Sequence, residues 1–160
     1  LLGRAPYLGF FETPGAEDRL AAWAALETAG IQALGGRALP TLSAGEKQLA
    51  AVARVLAQDP SIFLLDEPMS HLDLANTQRT CWTIESLRDQ GKTVLFTTHD
   101  PNIASAAADI VVMLLRGKVV AIGPVGETLT AVNIKSTYGV DAEILEGNGR
   151  PVILTRLRRR

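Results

Sequence analysis

A short apolar run that ends in two acidic residues constrains this chain more than any other feature. Residues 62–65 are Ile-Phe-Leu-Leu, bounded by turn-forming residues, which is typical of a strand buried on both faces of a parallel sheet. Asp66 and Glu67 follow at once, at the carboxyl end of the strand, where open α/β sheets bind their ligands. A carboxylate there can hold Mg²⁺, and its neighbour can polarise a water for attack on a phosphate. Simple solvation of the strand end is the alternative, and the apolar residues leading directly into two acids disfavour it.

Helices and strands alternate along most of the chain, which predicts an α/β fold. The spacing of apolar residues and the capping signals predict helices at 16–29, 44–59, 76–90 and 103–108. Further strands are predicted at 93–97, 110–115 and 119–122, and a terminal hairpin at 140–145 and 152–157.

Composition excludes several classes of protein. The 160 residues suffice for one domain with a sizeable core, and 47% of them are hydrophobic. Sixteen Lys and Arg against seventeen Asp and Glu leave no domain-wide basic field for nucleic acid. A single cysteine excludes a disulfide framework, and the longest apolar run, 110–115, is too short to span a membrane. No signal-peptide pattern opens the chain, so we expect a soluble cytoplasmic domain.

Three more segments carry polar groups that suit phosphate chemistry. Residues 42–46, Leu-Ser-Ala-Gly-Glu, start a predicted helix whose first N–H groups suit a phosphate, although for these residues alone a plain capping box is the favoured explanation. Residues 70–73, Ser-His-Leu-Asp, form a polar loop that alone indicates only a turn. His99 ends the next predicted strand, so a parallel sheet would bring it beside Asp66 and Glu67, although a lone His is more often structural.

The order LSAGE, IFLLDE, SHLD and TTHD resembles the second half of an ATP-binding cassette (ABC) ATPase. The resemblance implies an α/β, P-loop NTPase-like nucleotide-binding domain that lacks its N-terminal, Walker A part. It implies a signature loop at 42–46, a Walker B strand at 62–67, a D-loop at 70–73 and a switch histidine at His99.

Members of this family work as head-to-tail dimers around two ATP molecules, and the resemblance implies roles on that pattern. Nucleotide binding in trans, on the partner's ATP, falls to a set of four signature-loop residues: Ser43, Ala44, Gly45 and Glu46. Asp66 would organise Mg²⁺, Glu67 would be the general base, and His99 would contact the γ-phosphate. Asp73 would bridge the two sites across the dimer.

A narrower resemblance is to importers of the iron-siderophore, haem, cobalamin or molybdate type. It is carried by LGRAPY at 2–7, by 42–48, 70–76 and 100–102, and by the tail at 129–140. It implies a second ATPase subunit, an integral membrane permease and, indirectly, a substrate-binding protein as partners, with no nucleic acid. The protein would then sit in the cytoplasm, peripherally on the inner face of the cell membrane.

The resemblance also divides the chain and marks what it lacks. We expect a remnant of a helical subdomain at 1–40, the signature helix and the C-terminal half of the ATPase core at 41–131, and a hairpin with a basic tail at 132–160. Phe10, Phe11 and Trp23 are candidates for permease contact, with ordinary helix packing as the alternative for Trp23. Arg150, Arg156 and 158–160 are candidates for lipid contact, with a solvated tail favoured.

No G-x-x-x-x-G-K-[ST] motif is present, so we expect no tight ATP binding or turnover by these residues alone. The chain opens on Leu1 and its first methionine is Met69, which indicates a fragment of a longer protein. Without a Walker A strand, residues 62–65 would have an unpaired edge and the fold would be marginal. Two alternatives stand: a non-catalytic module that lends its signature loop to an intact ABC ATPase, and a DNA-maintenance ATPase, which the near-neutral charge disfavours.

Overall fold

The computed structural model describes residues 1–155, which form two compact units, Leu1–Thr98 and a second that begins at His99. The helices are α1 (Ala16–Thr28), α2 (Ala44–Gln58), α3 (Leu74–Asp89), α4 (Pro101–Ala107), α5 (Val125–Thr128) and α6 (Ala131–Tyr138). The strands are β1 (Ile62–Leu65), β2 (Thr93–Phe96), β3 (Ile110–Leu115), β4 (Lys118–Pro124), β5 (Ala142–Gly147) and β6 (Arg150–Thr155). Short 3-10 turns lie at Leu2–Tyr7, Gln32–Leu34 and Leu39–Thr41.

Each predicted element is present within residues 1–155, while residues 156–157 of the predicted terminal hairpin lie outside the described residues. Side-chain caps explain where two helices begin earlier than predicted. The carboxylate of Asp73 accepts a hydrogen bond from the backbone N–H of Asn76, so α3 begins at residue 74 instead of 76. The carboxylate of Asp100 accepts from the N–H of Asn102, so α4 begins at Pro101 instead of residue 103.

The first unit has one buried cluster between the end of α1 and α2, and further apolar packing between α2, β1 and α3. Phe63 of β1 is only 1% exposed and faces the same small apolar cavity as Val52 of α2 and Ile84 of α3. β1 and β2 pair in parallel, with Leu65 opposite Phe96, so the two strands end at the same edge of the sheet.

The prediction that residues 62–65 are buried on both faces is wrong for the described chain. Ile62 and Leu64 of β1 are 61% and 69% exposed, and Leu95 of β2 is 61% exposed. Helices α2 and α3 cover the face that carries Phe63. Since strand side chains alternate between the two faces, Ile62 and Leu64 lie on the opposite, uncovered face. Within residues 1–155, β1 and β2 form a two-stranded sheet, so each has one unpaired edge.

The N-terminal segment is fastened to the last turn of α2. The guanidinium of Arg4 donates to the Asp18 carboxylate at 3.0 Å and to the carbonyl oxygen of Ala57 at 3.2 Å, and it stacks over the Tyr7 ring. The Tyr7 hydroxyl donates to the carbonyl oxygen of Gln58 at 2.7 Å. These bonds satisfy carbonyl groups at the end of α2 that lack partners within the helix. The LGRAPY segment therefore holds α1 and α2 together.

The second unit has its own core and two antiparallel hairpins. β3 pairs with β4 through a turn at Arg116 and Gly117, and β5 pairs with β6 through a turn at Asn148 and Gly149; all four turn residues have positive φ. A cluster of buried side chains from both hairpins and the short helices fills the centre: Val111, Met113, Val125, Leu129, Ile134 and Ile153.

Polar side chains of α4 close the outer edge of β6. The Asn102 side-chain amide donates to the carbonyl oxygen of Ile153 at 3.1 Å and accepts from its N–H at 2.8 Å, as a neighbouring strand would. The Ser105 hydroxyl donates to the carbonyl oxygen of Pro151 at 2.6 Å.

Arg150 belongs to this same contact and not to a solvated tail. Its guanidinium donates to the carbonyl oxygens of Ser105 and Ala108, at 2.6 and 2.7 Å, at the end of α4. The prediction that grouped Arg150 with the terminal arginines is therefore wrong, because its side chain caps a helix. Arg156 and residues 158–160 lie outside the described residues.

Candidate functional site

The start of α2 is a closed capping box. The N–H of Glu46 donates to Ser43 Oγ at 3.3 Å, and the N–H of Ser43 donates to Glu46 Oε2 at 2.7 Å. These bonds, helped by Arg37 at 3.4 Å, hold the pKa of Glu46 below its usual range. Ala44 and Gly45 are the first helical residues, where N–H groups have no acceptor within the helix. This turn can therefore present N–H groups to an anion.

The two acids after β1 are tied to the end of β2 by one threonine. The Thr97 hydroxyl donates to Asp66 Oδ1 at 2.5 Å and accepts from the backbone N–H of Glu67 at 2.9 Å. The β1–β2 register makes this possible, because Thr97 follows Phe96 just as Asp66 follows Leu65. The sequence predicts Thr97 as a strand residue and nothing more, although its position at the end of the neighbouring strand is a usable signal.

Glu67 itself has a left-handed backbone, with φ of 43°. Its carbonyl oxygen accepts from the N–H of Ser70 and from Gln48 Nε2, both at 3.0 Å. The sequence predicts no role for Gln48, because its local signal is weak: it is a half-buried polar residue of α2 just after the capping box.

The loop at 70–73 lies against the first turn of α2. His71 has φ of 62°, and a Cβ added at Gly45 would stand 3.0 Å from the His71 carbonyl oxygen. A glycine at position 45 thus lets the helix approach this loop closely. Asp73 closes the loop by capping α3.

The structure groups most, but not all, of the predicted site residues in one unit. The capping-box residues, Asp66, Glu67 and Asp73 belong to the first unit. His99 is exposed and is the first residue of the second unit, directly before the cap of α4.

The described residues offer a place for Mg²⁺ but no cradle for ATP phosphates. Asp66 is exposed at the strand end, and a single carboxylate suits Mg²⁺, which takes its other ligands from water and phosphate. Within residues 1–155, no group of three or more His, Cys, Asp or Glu side chains is placed to hold a metal. Gly91-Lys92-Thr93 has the final letters of a phosphate-binding loop, but it leads from α3 into β2, the reverse of the strand-to-helix order. The Lys92 ammonium instead contacts Asp59 at 2.8 Å.

None of the helices within residues 1–155 is both long and apolar enough to cross a membrane.

Comparison with known proteins gives consistent matches. A family model described as ABC transporter matches residues 6–70. The hemin import ATP-binding protein HmuV of Burkholderia lata is 39% identical over 166 residues, which cover 96% of this chain and 61% of that protein. The manganese transport system ATP-binding protein MntB of Listeria innocua is 39% identical over 139 residues, covering 87% of this chain and 58% of that protein.

A solved structure described as an inward-facing conformation of a metal-chelate type ABC transporter matches with a TM-score of 0.84 and 28% identity. The match covers 98% of this chain and 65% of the solved chain. The chain thus spans about three fifths of the length of the curated relatives it matches. Its sequence motifs, its α/β elements and these matches agree, and the chain belongs to the ATP-binding domains of ABC transporters.

Proposed function

We propose that the chain is part of the ATP-hydrolysing subunit of an ABC importer, which couples ATP hydrolysis to uptake of an iron chelate, haem or a related metal-containing substrate. The single observation that supports this best is the grouping, within one unit, of the α2 capping box, the strand-end acids and the loop at 70–73. The names of the relatives, a hemin import protein and a manganese transport protein, support the cargo class.

In the proposed head-to-tail dimer, the chain contributes to two nucleotide sites. The start of α2 closes on the γ-phosphate bound by the partner subunit. The groups involved are Ser43 Oγ and the first N–H groups of the helix, with Ala44, Gly45 and Glu46. Asp73 lies at the dimer contact. These residues bind and orient the nucleotide without a proton transfer.

On the other site, Glu67 takes a proton from the attacking water, a role worth about 10²–10⁴ in rate. Asp66 would hold Mg²⁺, and the ion would supply neutralisation of negative charge on the phosphate groups. The Thr97 hydroxyl keeps the two acids in register, because it bonds both. His99 contacts the γ-phosphate from the following segment.

The phosphate cradle of this second site comes from a segment outside these 160 residues. Two observations support this part of the proposal. The sequence has no G-x-x-x-x-G-K-[ST], and the β1–β2 sheet exposes Ile62, Leu64 and Leu95 on the face opposite its helices. Such a contiguous apolar face is ordinarily covered in a working protein. The 160 residues alone are then inactive.

We propose the chain's place in the assembly on the same basis. It lies in the cytoplasm on the inner face of the membrane, bound to an integral permease, and residues 1–40 form the permease-facing part. Phe10 and Phe11 are 95% and 94% exposed, and their rings meet edge-to-face at 5.0 Å. Exposed aromatic pairs of this kind are common anchors in protein interfaces. Residues 41–131 form the ATPase core, and 132–160, which include most of α6, form the C-terminal part with the hairpin and tail.

The test is ATP turnover by the 160-residue chain alone and by the chain extended through the coding sequence upstream of Leu1. We expect turnover only by the extended form. Glu67→Gln should lower kcat at least a hundredfold, since it removes the base while keeping the shape. Glu27→Gln, on the exposed side of α1, is the matched control and should leave kcat unchanged. ATP turnover by the 160 residues alone would refute the proposal that they lack the phosphate cradle.

A second candidate is a non-catalytic module that lends its signature loop to an intact ABC ATPase. The observation that favours it is the complete capping box at the start of α2 beside a missing phosphate cradle. Mixing the chain with an intact haemin-type ATPase decides between the two. A change in the intact enzyme's turnover that Ser43→Ala abolishes, with no active extended form, would favour the module.

A further inference from the structure

The left-handed backbone of Glu67 is held from both of its ends. Positive φ is costly for a non-glycine residue and persists only where neighbouring groups impose it. The N–H of Glu67 is bound by Thr97, and its carbonyl oxygen by Ser70 and Gln48. Thr97 and Ser70 follow β2 and β1 respectively, so they belong to the strand edge that carries Glu67. Of these three partners, Gln48 is the one that comes from α2.

The first turns of α2 contact the same loop at two more places. Gly45 packs against the His71 carbonyl oxygen, which would be 3.0 Å from an added Cβ. Leu72 packs on the buried cluster that contains Leu49 of α2. The loop after β1 therefore has little room to move independently of the start of α2.

We propose that Gln48 is a positioning residue for Glu67 and that it links the two nucleotide sites of the dimer. This inference rests on the proposed function, in which the start of α2 engages the partner's nucleotide while Glu67 acts on the chain's own. When α2 closes on the partner's γ-phosphate, Gln48 Nε2 carries the movement to the Glu67 carbonyl. Gln48 touches no reacting atom, and its effect on hydrolysis passes through the Glu67 backbone.

The first test needs only the 160-residue chain and measures amide hydrogen exchange. Gln48→Met keeps the length of the side chain but removes its donor. We expect the Glu67 and Ser70 amides to exchange at least about fivefold faster, while α2 amides keep their protection. Lys47→Met, one residue earlier and exposed, is the matched control. Val52→Ala controls for general loss of stability, since it lowers protection throughout the unit without singling out these two amides.

The outcomes of this test decide the inference. Unchanged exchange at Glu67 and Ser70 in Gln48→Met, relative to Lys47→Met, would overturn it. Should Gln48→Met fail to fold by circular dichroism, Gln48→Glu replaces it, since an ionised carboxylate also lacks a donor. The same two amides are then compared.

The second test uses the extended form that hydrolyses ATP. Gln48→Met should lower kcat about tenfold or more and leave KM for ATP within about twofold, because a displaced base slows the chemical step without weakening substrate binding. Normal kcat would refute the inference and leave the proposed function standing. If no form hydrolyses ATP but the exchange effect is present, the proposed function fails while the positioning of Glu67 by Gln48 stands.

Discussion

Replacing Asn102 by Ala should release the terminal hairpin from α4. In the structure the Asn102 amide satisfies both the N–H and the carbonyl oxygen of Ile153, at 2.8 and 3.1 Å, and Ile153 is buried. Each buried backbone group left without a partner costs about 1–3 kcal/mol, and water reaching the edge of β6 lowers that cost. We expect a loss of about 2–4 kcal/mol for the unit that contains the hairpin.

Urea unfolding and amide exchange measure this loss. With an m-value of about 1–3 kcal/mol/M, the unfolding midpoint of the second unit should fall by about 0.7 M or more. The Ile153 amide should lose protection in step with it. Gln90→Ala is the control, because its amide makes only an exposed bond to Ser86 in the same helical turn, and such changes stay within about 0.5 kcal/mol.

Two results would refute the reasoning on Asn102. If Ile153 exchanges no faster in Asn102→Ala, another group replaces the amide and the clamp is not needed. If Asn102→Asp is as stable as the wild type at neutral pH, the donor half of the clamp contributes nothing. A carboxylate keeps the acceptor for the Ile153 N–H but sets a negative oxygen against the Ile153 carbonyl.

Two further predictions concern the segment that fastens the N-terminus to α2. Gly3→Ala should destabilise by about 1–3 kcal/mol or more in thermal unfolding, since its Cβ would stand 2.1 Å from an α2 carbonyl oxygen, whereas Gly36→Ala, with nothing within 4 Å, should cost nothing. The Arg4 guanidinium, first by its hydrogen bond, lowers the pKa of Asp18 below the usual range of an aspartate. The stabilisation is therefore complete above that range and is lost as the pH falls through the lowered pKa of the folded state. The difference in unfolding midpoint between wild type and Arg4→Met should therefore be largest near pH 6 and shrink below about pH 4; a difference that grows on acidification would contradict it.

Most elements of this fold could be predicted because their signals are local. Ser43 and Glu46 stand three residues apart, and the structure has the capping box that this spacing predicts. Asn148 and Gly149 predict the turn of the terminal hairpin for the same reason, since both residues adopt positive φ readily.

The contacts that shape the site could not be predicted in this way, because they join residues distant in the chain. Gln48 meets Glu67 across nineteen positions, and Thr97 meets Asp66 across thirty-one. Nothing in the residues around Gln48 indicates which backbone group it will bind. The β1–β2 register could have indicated Thr97, because equal strand lengths bring Thr97 to the edge where Asp66 lies.

The error on β1 carries information of a different kind. An apolar run of Ile, Phe, Leu and Leu is typical of a strand that is covered on both faces. Here one face is covered: Phe63 is buried, while Ile62 and Leu64 are exposed. Burial of apolar surface contributes about 25 cal/mol of folding free energy per Å², and side chains that remain in water contribute none of it. The apolar pattern therefore stabilises the strand fully only if another segment covers that face. The exposed apolar face and the absence of a phosphate-binding motif thus both indicate an additional segment. One α/β segment packed against β1 and β2 would supply both the apolar cover and the phosphate cradle. We therefore expect ATP hydrolysis from the extended chain and not from the 160 residues alone.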